Sequence, residues 1–272
     1  MTGMIYYKSE EEIELILKSC LLVCQALAEV AAQLKPGVTG LKLDGVAEQV
    51  IRDQGGVPAF KGYRGFPGTL CLSFNEQVVH GIPSNREVLP GEVISIDCGV
   101  KMNGYYGDAA YTIAIGEVSE DIQELLITTK EALDLGIAKA IAGNRIGDIS
   151  YAVQEHCEIK HAYGVVRELV GHGVGKSLHE SPEVPNFGKR GKGIVLKEGL
   201  VIAIEPMVNL GDRGVRQAND GWTIFTRDRK VSAHFEHTIA VKANQADVLS
   251  DHRSIEEAIK KNIELQNISI NI

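Results

Sequence analysis

Gly91-Glu92-Val93-Ile94-Ser95-Ile96-Asp97 and Gly199-Leu200-Val201-Ile202-Ala203-Ile204-Glu205 carry one pattern twice, 108 residues apart. In each, a glycine opens a β-rich run that ends six residues later in a carboxylate. Side chains two apart on a strand share a face. Val93, Ser95 and Asp97 therefore point one way, Ile94 and Ile96 the other, and Val201, Ala203 and Glu205 repeat the arrangement. Upstream, Pro36-Gly37 and Ala142-Gly143 each separate two helical stretches, 106 residues apart. Two echoes at nearly one offset point to a duplicated α/β unit. If the copies pack about a pseudo-twofold axis, Asp97 and Glu205 meet at its centre, each beside a small residue. Two strand-end acids facing solvent fit the alternation equally well.

Helices and strands follow outward from these runs. Ser9 and Glu12 have capping-box spacing, and behind them Ile13, Ile16, Leu17, Cys20, Cys24, Leu27, Ala31 and Leu34 form one helical stripe that Pro36-Gly37 stops. A second helix presents Leu43, Val46, Ala47, Val50 and Ile51 and ends at Gly55-Gly56. Residues 57–68 read as loop. Strands are expected at Leu70–Phe74, Val78–His80, Val93–Cys98 and Tyr105–Ile115, with Asn103-Gly104 as a hairpin turn. Helices are expected from Ser119 to about Ala142 and from Asp148 to His161, then strands from Val165 to Val241 around a Gly- and Pro-rich loop at 171–193. From about Ser254 a polar helix aligns Ile255, Ile259 and Ile263. The expected organisation is one α/β (α+β) catalytic domain over residues 1–250, with halves of about 9–118 and 119–245, and a helical tail at 251–272.

Composition narrows the class. Of 272 residues, 44% are hydrophobic and 24% charged, the balance of a globular protein with a proper core. No unbroken apolar run of about 18 residues predicts a membrane span, and the first residues have no signal-peptide core. The five cysteines include no CxxC pair, which suits reduced thiols in the cytoplasm. A net charge of −8 argues against a nucleic-acid surface, and Lys189, Arg190 and Lys192 read as solvated loop charge.

More acids fall on the faces of the two repeats. Asp108 lies past the Asn103-Gly104 turn, so a hairpin returns it beside Asp97. Glu236 sits in the strand-like Ser232–Val241, where His234, Glu236 and Thr238 share a face. Gly171-His172-Gly173 follows the strand-like Val165–Val170, which puts His172 at a strand end. Four close carboxylates cannot all stay ionised unaided. Two divalent cations would neutralise them, and an oxygen-rich set with one imidazole suits Co, Mn, Fe or Zn in an open catalytic site. Two cations about 3.5–4 Å apart activate water and polarise a carbonyl, the chemistry of peptide hydrolysis. Taken singly, each residue also has a plainer reading. His80 and His179 fit hydrogen-bonded structural histidines, Asp97 a hairpin acid and Trp222 the core. No motif elevates His156, His161, His234, His237 or His252.

The motifs Asn75-Glu76-Gln77-Val78-Val79-His80-Gly81-Ile82-Pro83, Ile96-Asp97 with Gly107-Asp108, Gly171-His172-Gly173-Val174-Gly175, Ile204-Glu205-Pro206-Met207 and Phe235-Glu236-His237-Thr238 closely resemble those of the type I methionine aminopeptidases. They run in order from about residue 9 to 245. The resemblance implies a pita-bread fold, two pseudo-symmetric α/β halves around a dinuclear centre. It implies Asp97, Asp108, His172, Glu205 and Glu236 as metal ligands, His80 and His179 beside the substrate, and Glu205 as general base. It implies a methionine pocket lined by Phe60, Tyr63, Phe66, Cys71, Leu178 and Trp222, apolar and aromatic as a thioether prefers. Arg64, Phe60 and Leu178 depart from the residues common in that family. The 26-residue step from His179 to Glu205 leaves no space for the helical insertion of type II enzymes, so the pattern looks bacterial.

The implied activity is removal of the initiator methionine from nascent polypeptides with a small second residue. A cytoplasmic monomer near the ribosome, without nucleic-acid or membrane binding, is the expected setting. Three alternatives compete: a proline-directed peptidase of the same fold, a pita-bread protein that only binds partners, and creatinase-like chemistry. The first usually carries a large extra N-terminal domain, and only about 90 residues precede Gly91. The other two lack several ligands, whereas all five are present here.

Overall fold

Ser9 Oγ accepts the Glu12 N–H at 3.3 Å, and Glu12 Oε2 accepts the Ser9 N–H at 3.1 Å. The pair closes the open donors at the start of α1 (Glu10–Gln33), and Thr39 caps α2 (Gly40–Asp53) in a simpler way. The computed structural model describes residues 3–267. By length and composition α1 could cross a membrane, although charged residues interrupt its apolar run. Its apolar residues instead lie inside the fold, with Ile16, Cys20, Val23 and Leu27 all buried.

The first half contributes β1 (Val57–Pro58), β2 (Leu70–Phe74), β3 (Gln77–Val79), β4 (Val93–Met102) and β5 (Tyr105–Ala114). β1, in a stretch expected to be loop, pairs with the far end of β4. β4 and β5 pair along their whole length around Asn103 and Gly104, whose φ values of 52° and 84° are the left-handed backbone of a two-residue turn. The second half begins with α3 (Glu120–Ile137) and α4 (Ile146–Gln154). It continues through β6 (Gly164–Val165), β7 (Gly171–Gly173), β8 (Glu180–Val184), β9 (Val201–Ile204) and β10 (Met207–Asn209). β11 (Val215–Gln217), β12 (Ile224–Thr226), β13 (Ser232–His234), β14 (Glu236–Ala240), β15 (Asp247–Val248) and α5 (Arg253–Lys261) complete it.

Nine strands form the main sheet in the order β1-β4-β5-β14-β9-β7-β8, with β2 also on β4 and β15 also on β14. Its pseudo-twofold axis lies between β5 and β14. The two repeated runs become β4 and β9, one on either side of that junction, and the helix pairs α1/α2 and α3/α4 correspond. Ile94 and Ile96 join the main apolar core with Leu27, Leu43 and Ile51, while Asp97 takes the opposite face. This is the two-halved pita-bread arrangement.

Several boundaries move, each for a tertiary reason. α3 ends at Ile137, short of Ala142, because Ile141 pairs with Lys242 and the Ala142 N–H bonds the Lys242 carbonyl at 2.9 Å. The helix expected to reach His161 is α-helical only to Gln154, and Glu155–Lys160 follow as a π-helical turn. The loop expected at 171–193 contains β7 and β8, so His172 lies within a strand and not beyond one. Ser232–Val241 is not one strand. β13 pairs with β10 in a small sheet, β14 joins the main sheet, and the chain crosses between them at Phe235. Ile255 and Ile259 are buried, but α5 stops at Lys261 and Ile263 is 96% exposed. There Asn262 turns its amide back to donate to the Ala31 and Leu34 carbonyls, 2.8 Å each, capping the end of α1. Residues 268–272 of the expected tail lie outside the described residues.

Candidate active site

Across the main sheet, β4, β5, β14, β9 and β7 are consecutive neighbours. Each delivers one of the five expected ligands: Asp97, Asp108, Glu236, Glu205 (one residue past β9) and His172. Asp97 and Glu236 both stand opposite Ala110, two residues from Asp108, so three carboxylates share a face and a methyl leaves space between them. Gly107 lets β5 run against α1, since a Cβ there would lie 2.5 Å from the Cys20 nitrogen. Thr238 Oγ1 donates to the Asp108 carbonyl at 2.8 Å, and Asn186 Nδ2 donates to the Glu205 carbonyl at 2.9 Å. Both hold the backbone beneath an acid.

The electrostatics divide the four acids. Burial pushes the Asp97 carboxyl up to about 7, with Glu205 adding to the rise and His234 opposing it. Burial, then the neighbouring acids, pushes Asp108 and Glu236 well above the usual carboxylate range. Burial acts on Glu205 the same way, but His234, His172 and His179 outweigh it and hold this carboxyl below its ordinary value. Asp97 Oδ1, Asp108 Oδ1 and Glu236 Oε1 are buried with no hydrogen-bond partner among the described residues. His172 Nδ1 lies 3.0 Å from the Gly173 carbonyl, which only accepts, so Nδ1 carries the proton. Nε2 is then free to face Glu205 Oε1 at 3.6 Å and Asp108 Oδ2 at 3.9 Å. Asp108, His172 and Glu236 each bring one donor atom within 4.8 Å of the others'. Orphaned carboxylate oxygens around an oriented imidazole fit a divalent cation, whose charge would replace the missing partners.

These acids line a cavity of about 570 Å³ that all the other expected site residues also line. One wall is an apolar cluster separate from the main core, made of Phe60, Phe66, Cys71 and Leu178 with Tyr63 and Trp222 against it. Phe66 meets Trp222 edge to face at 5.2 Å between ring centres. Burial, then the charge of Asp97, pushes the Cys71 thiol well above its usual range, so it packs as a small apolar group. Arg64 also lines the cavity. His80, one residue past β3, has φ 60° and lies edge-on to Trp222. His179 is open at the mouth, 3.1 Å from the Tyr63 hydroxyl through Nδ1, with its ring centre 4.2 Å from that of His172. Partial burial of its ring against the cavity wall, then the neighbouring His172, pushes its pKa down to about 4, so it is neutral at pH 7.

The sequence pattern passed over His234. Its Nε2 stands 3.5 Å from Glu205 Oε2, an ion-pair distance without hydrogen-bond alignment, and neither ring nitrogen has a hydrogen-bond partner. Thr112 Oγ1 holds its backbone at both the N–H (2.9 Å) and the carbonyl (2.6 Å). Its place on the face of Glu236, two residues before it, is the signal the sequence carries, and no motif raises it above a structural histidine. Met207 and Val79 also line the cavity.

Residues 14–243 match the sequence profile of metallopeptidase family M24. A methionine aminopeptidase of Clostridium acetobutylicum is 47% identical over 248 residues, covering 91% of this chain and 99% of the relative. The crystal structure of a methionine aminopeptidase from Thermotoga maritima superposes with a TM-score of 0.89 at 42% identity, over 91% of this chain and 100% of that one. The prolidase from Pyrococcus furiosus has a TM-score of 0.74 at 24% identity, and this chain covers 65% of it, so that likeness extends to the fold alone. The chain belongs to metallopeptidase family M24, among its methionine aminopeptidases.

Proposed function

We propose that this protein removes the N-terminal methionine from newly made polypeptides whose second residue is small. The observation that carries the reading is the meeting, in one cavity, of four carboxylates and a histidine from five neighbouring strands with an apolar, aromatic slot. Asp97, Asp108, His172, Glu205 and Glu236 would hold two divalent cations, drawn from Co, Mn, Fe or Zn. Bound there, the cations supply a polarised carbonyl and a water more acidic than bulk water. Glu205, whose carboxyl its histidine neighbours, His234 first, hold below the ordinary value against the effect of burial, would take a proton from the attacking water as general base. His80 and His179 hydrogen-bond the scissile amide, helping as the carbonyl becomes an oxyanion and the nitrogen takes up a proton. Phe60, Tyr63, Phe66, Cys71, Leu178 and Trp222 hold the methionine side chain.

The substrate is the N-terminal peptide of a nascent protein, met near the ribosome by a cytoplasmic monomer. Five buried, unbridged cysteines support a reducing setting. Residues 1–250 serve as the catalytic unit, with the tail bracing α1.

Peptide hydrolysis by metal-stripped protein, reloaded with each divalent ion in turn, tests the reading. Met-Ala-Ser should be cut, Met-Lys-Ser should not, and a norleucine analogue should be cut more slowly, since one group in an apolar pocket is worth only about 1–3 kcal/mol. Preference for an Xaa-Pro bond with Met-Ala-Ser ignored would hand the site to a proline-directed peptidase. No cleavage with any ion would leave only a binding protein.

A further inference from the structure

Lys8 precedes α1 and belongs to no motif considered above, yet its side chain is buried inside the fold. Its Nζ donates to Glu180 Oε2 at 2.7 Å and to the Tyr6 carbonyl at 3.1 Å, with the Lys8 and Glu180 side chains 4% and 8% exposed. The other Glu180 oxygen, Oε1, accepts the Ser177 N–H at 3.1 Å. One carboxylate thus joins the N-terminal segment to the turn between β7 and β8, which carries Leu178 and His179. Gly175 makes room for the pair, because a Cβ there would lie 2.6 Å from Glu180 Oε1 and 2.7 Å from Lys8 Cε. The segment itself is anchored. The Lys8 N–H bonds the Gly199 carbonyl at 2.7 Å, Ile5 bridges to Ser181, and Gly3 lines the cavity.

Stability is a weak reason for this arrangement. Desolvating two charges consumes most of their attraction, and replacing such a pair with apolar groups is often neutral or stabilising. Its position is more telling. Glu180 directly follows His179, which reaches the Tyr63 hydroxyl, and Leu178, just before His179, closes the apolar slot. We propose that Lys8 is a positioning residue: through Glu180 it holds the 177–180 turn, so that His179 meets the scissile amide and Leu178 the methionine side chain. The inference rests on the role assigned to His179 above.

The test compares the full-length, metal-loaded protein with Lys8→Met and with the double variant Lys8→Met/Glu180→Gln. Lys8→Met keeps the stem and strands a buried carboxylate, so it is expected to lose stability. The double variant removes both charges and keeps an acceptor for the Ser177 N–H. It should retain its bound metal and melting temperature yet cut Met-Ala-Ser with kcat about tenfold lower, the scale of a displaced acid–base group. Adding the same two changes to His179→Ala should lower kcat less than about twofold, because a residue acting through His179 has nothing left to position there. Wild-type kcat in the double variant, or an equal loss in both backgrounds, would overturn the proposal. Failure of the wild-type protein to cut Met-Ala-Ser would overturn the functional assignment, and this inference with it.

Discussion

Chelating the divalent metal from this protein would leave Asp97, Asp108 and Glu236 buried side by side, each binding a proton more tightly than a free carboxyl does. In the unfolded chain an aspartate titrates near about 3.9, whereas in the folded metal-free protein Asp97 titrates at about 7. Between those values the folded state keeps a proton that the unfolded state has released. This contribution to stability therefore falls as pH rises, the reverse of a salt-bridged carboxylate. It is read against the metal-loaded protein, because histidines such as His179 and His237, held at about 4, contribute a rise with pH in both forms. Each extra proton contributes a slope of about 1.4 kcal/mol per pH unit. Asp97 alone then removes about 2 kcal/mol between pH 5 and 7, being half titrated at the upper end, and Asp108 and Glu236, raised for the same reason, carry the fall to higher pH. That is a large share of the roughly 5–15 kcal/mol that holds a domain folded. Urea unfolding of chelated and metal-loaded protein at pH 5, 6, 7 and 8 measures it, and the loaded protein should show little of the slope because cations stand in for the protons. Asp97→Asn should flatten the slope by about one proton and make the chelated variant more stable at pH 7 than chelated wild type, while abolishing turnover. A stability difference between loaded and chelated protein that stays the same from pH 5 to pH 8 would refute the reasoning.

Two other outcomes follow from the geometry. His80→Ala and His179→Ala should each lower kcat at least about tenfold with bound metal and melting temperature nearly unchanged, and loss of metal from His179→Ala would make that histidine a ligand instead. Gly107→Ala should destabilise by about 3 kcal/mol or more, because the new Cβ would sit 2.5 Å from the Cys20 nitrogen and push β5, with Asp108 on it, away from α1. A melting temperature within a degree of wild type would show that α1 gives way without strain.

Much of this protein is legible along the chain because the signals are local. Ser9 and Glu12 lie within one helical turn, Asn103-Gly104 turns on its own backbone preference, and strict alternation sets Asp97 on the face opposite Ile94 and Ile96. The repeat of Gly91–Asp97 in Gly199–Glu205 foretells two corresponding halves. Alternation alone, however, leaves those acids free to face either solvent or one another. That choice belongs to the pairing of β5 with β14, which joins residues more than a hundred positions apart and places Ala110 between Asp97 and Glu236. His234 shares the alternation of Glu236, but its approach to Glu205 comes from the pairing of β13 with β10, which sets it opposite Met207 and which no motif announces. Lys8 and Glu180, 172 residues apart, carry no motif at all. Turns, caps and faces depend on a residue's own torsions and its near neighbours. Which strands pair, and which charges are buried together, depends on the free energy of packing the whole chain, and no local stretch contains that sum.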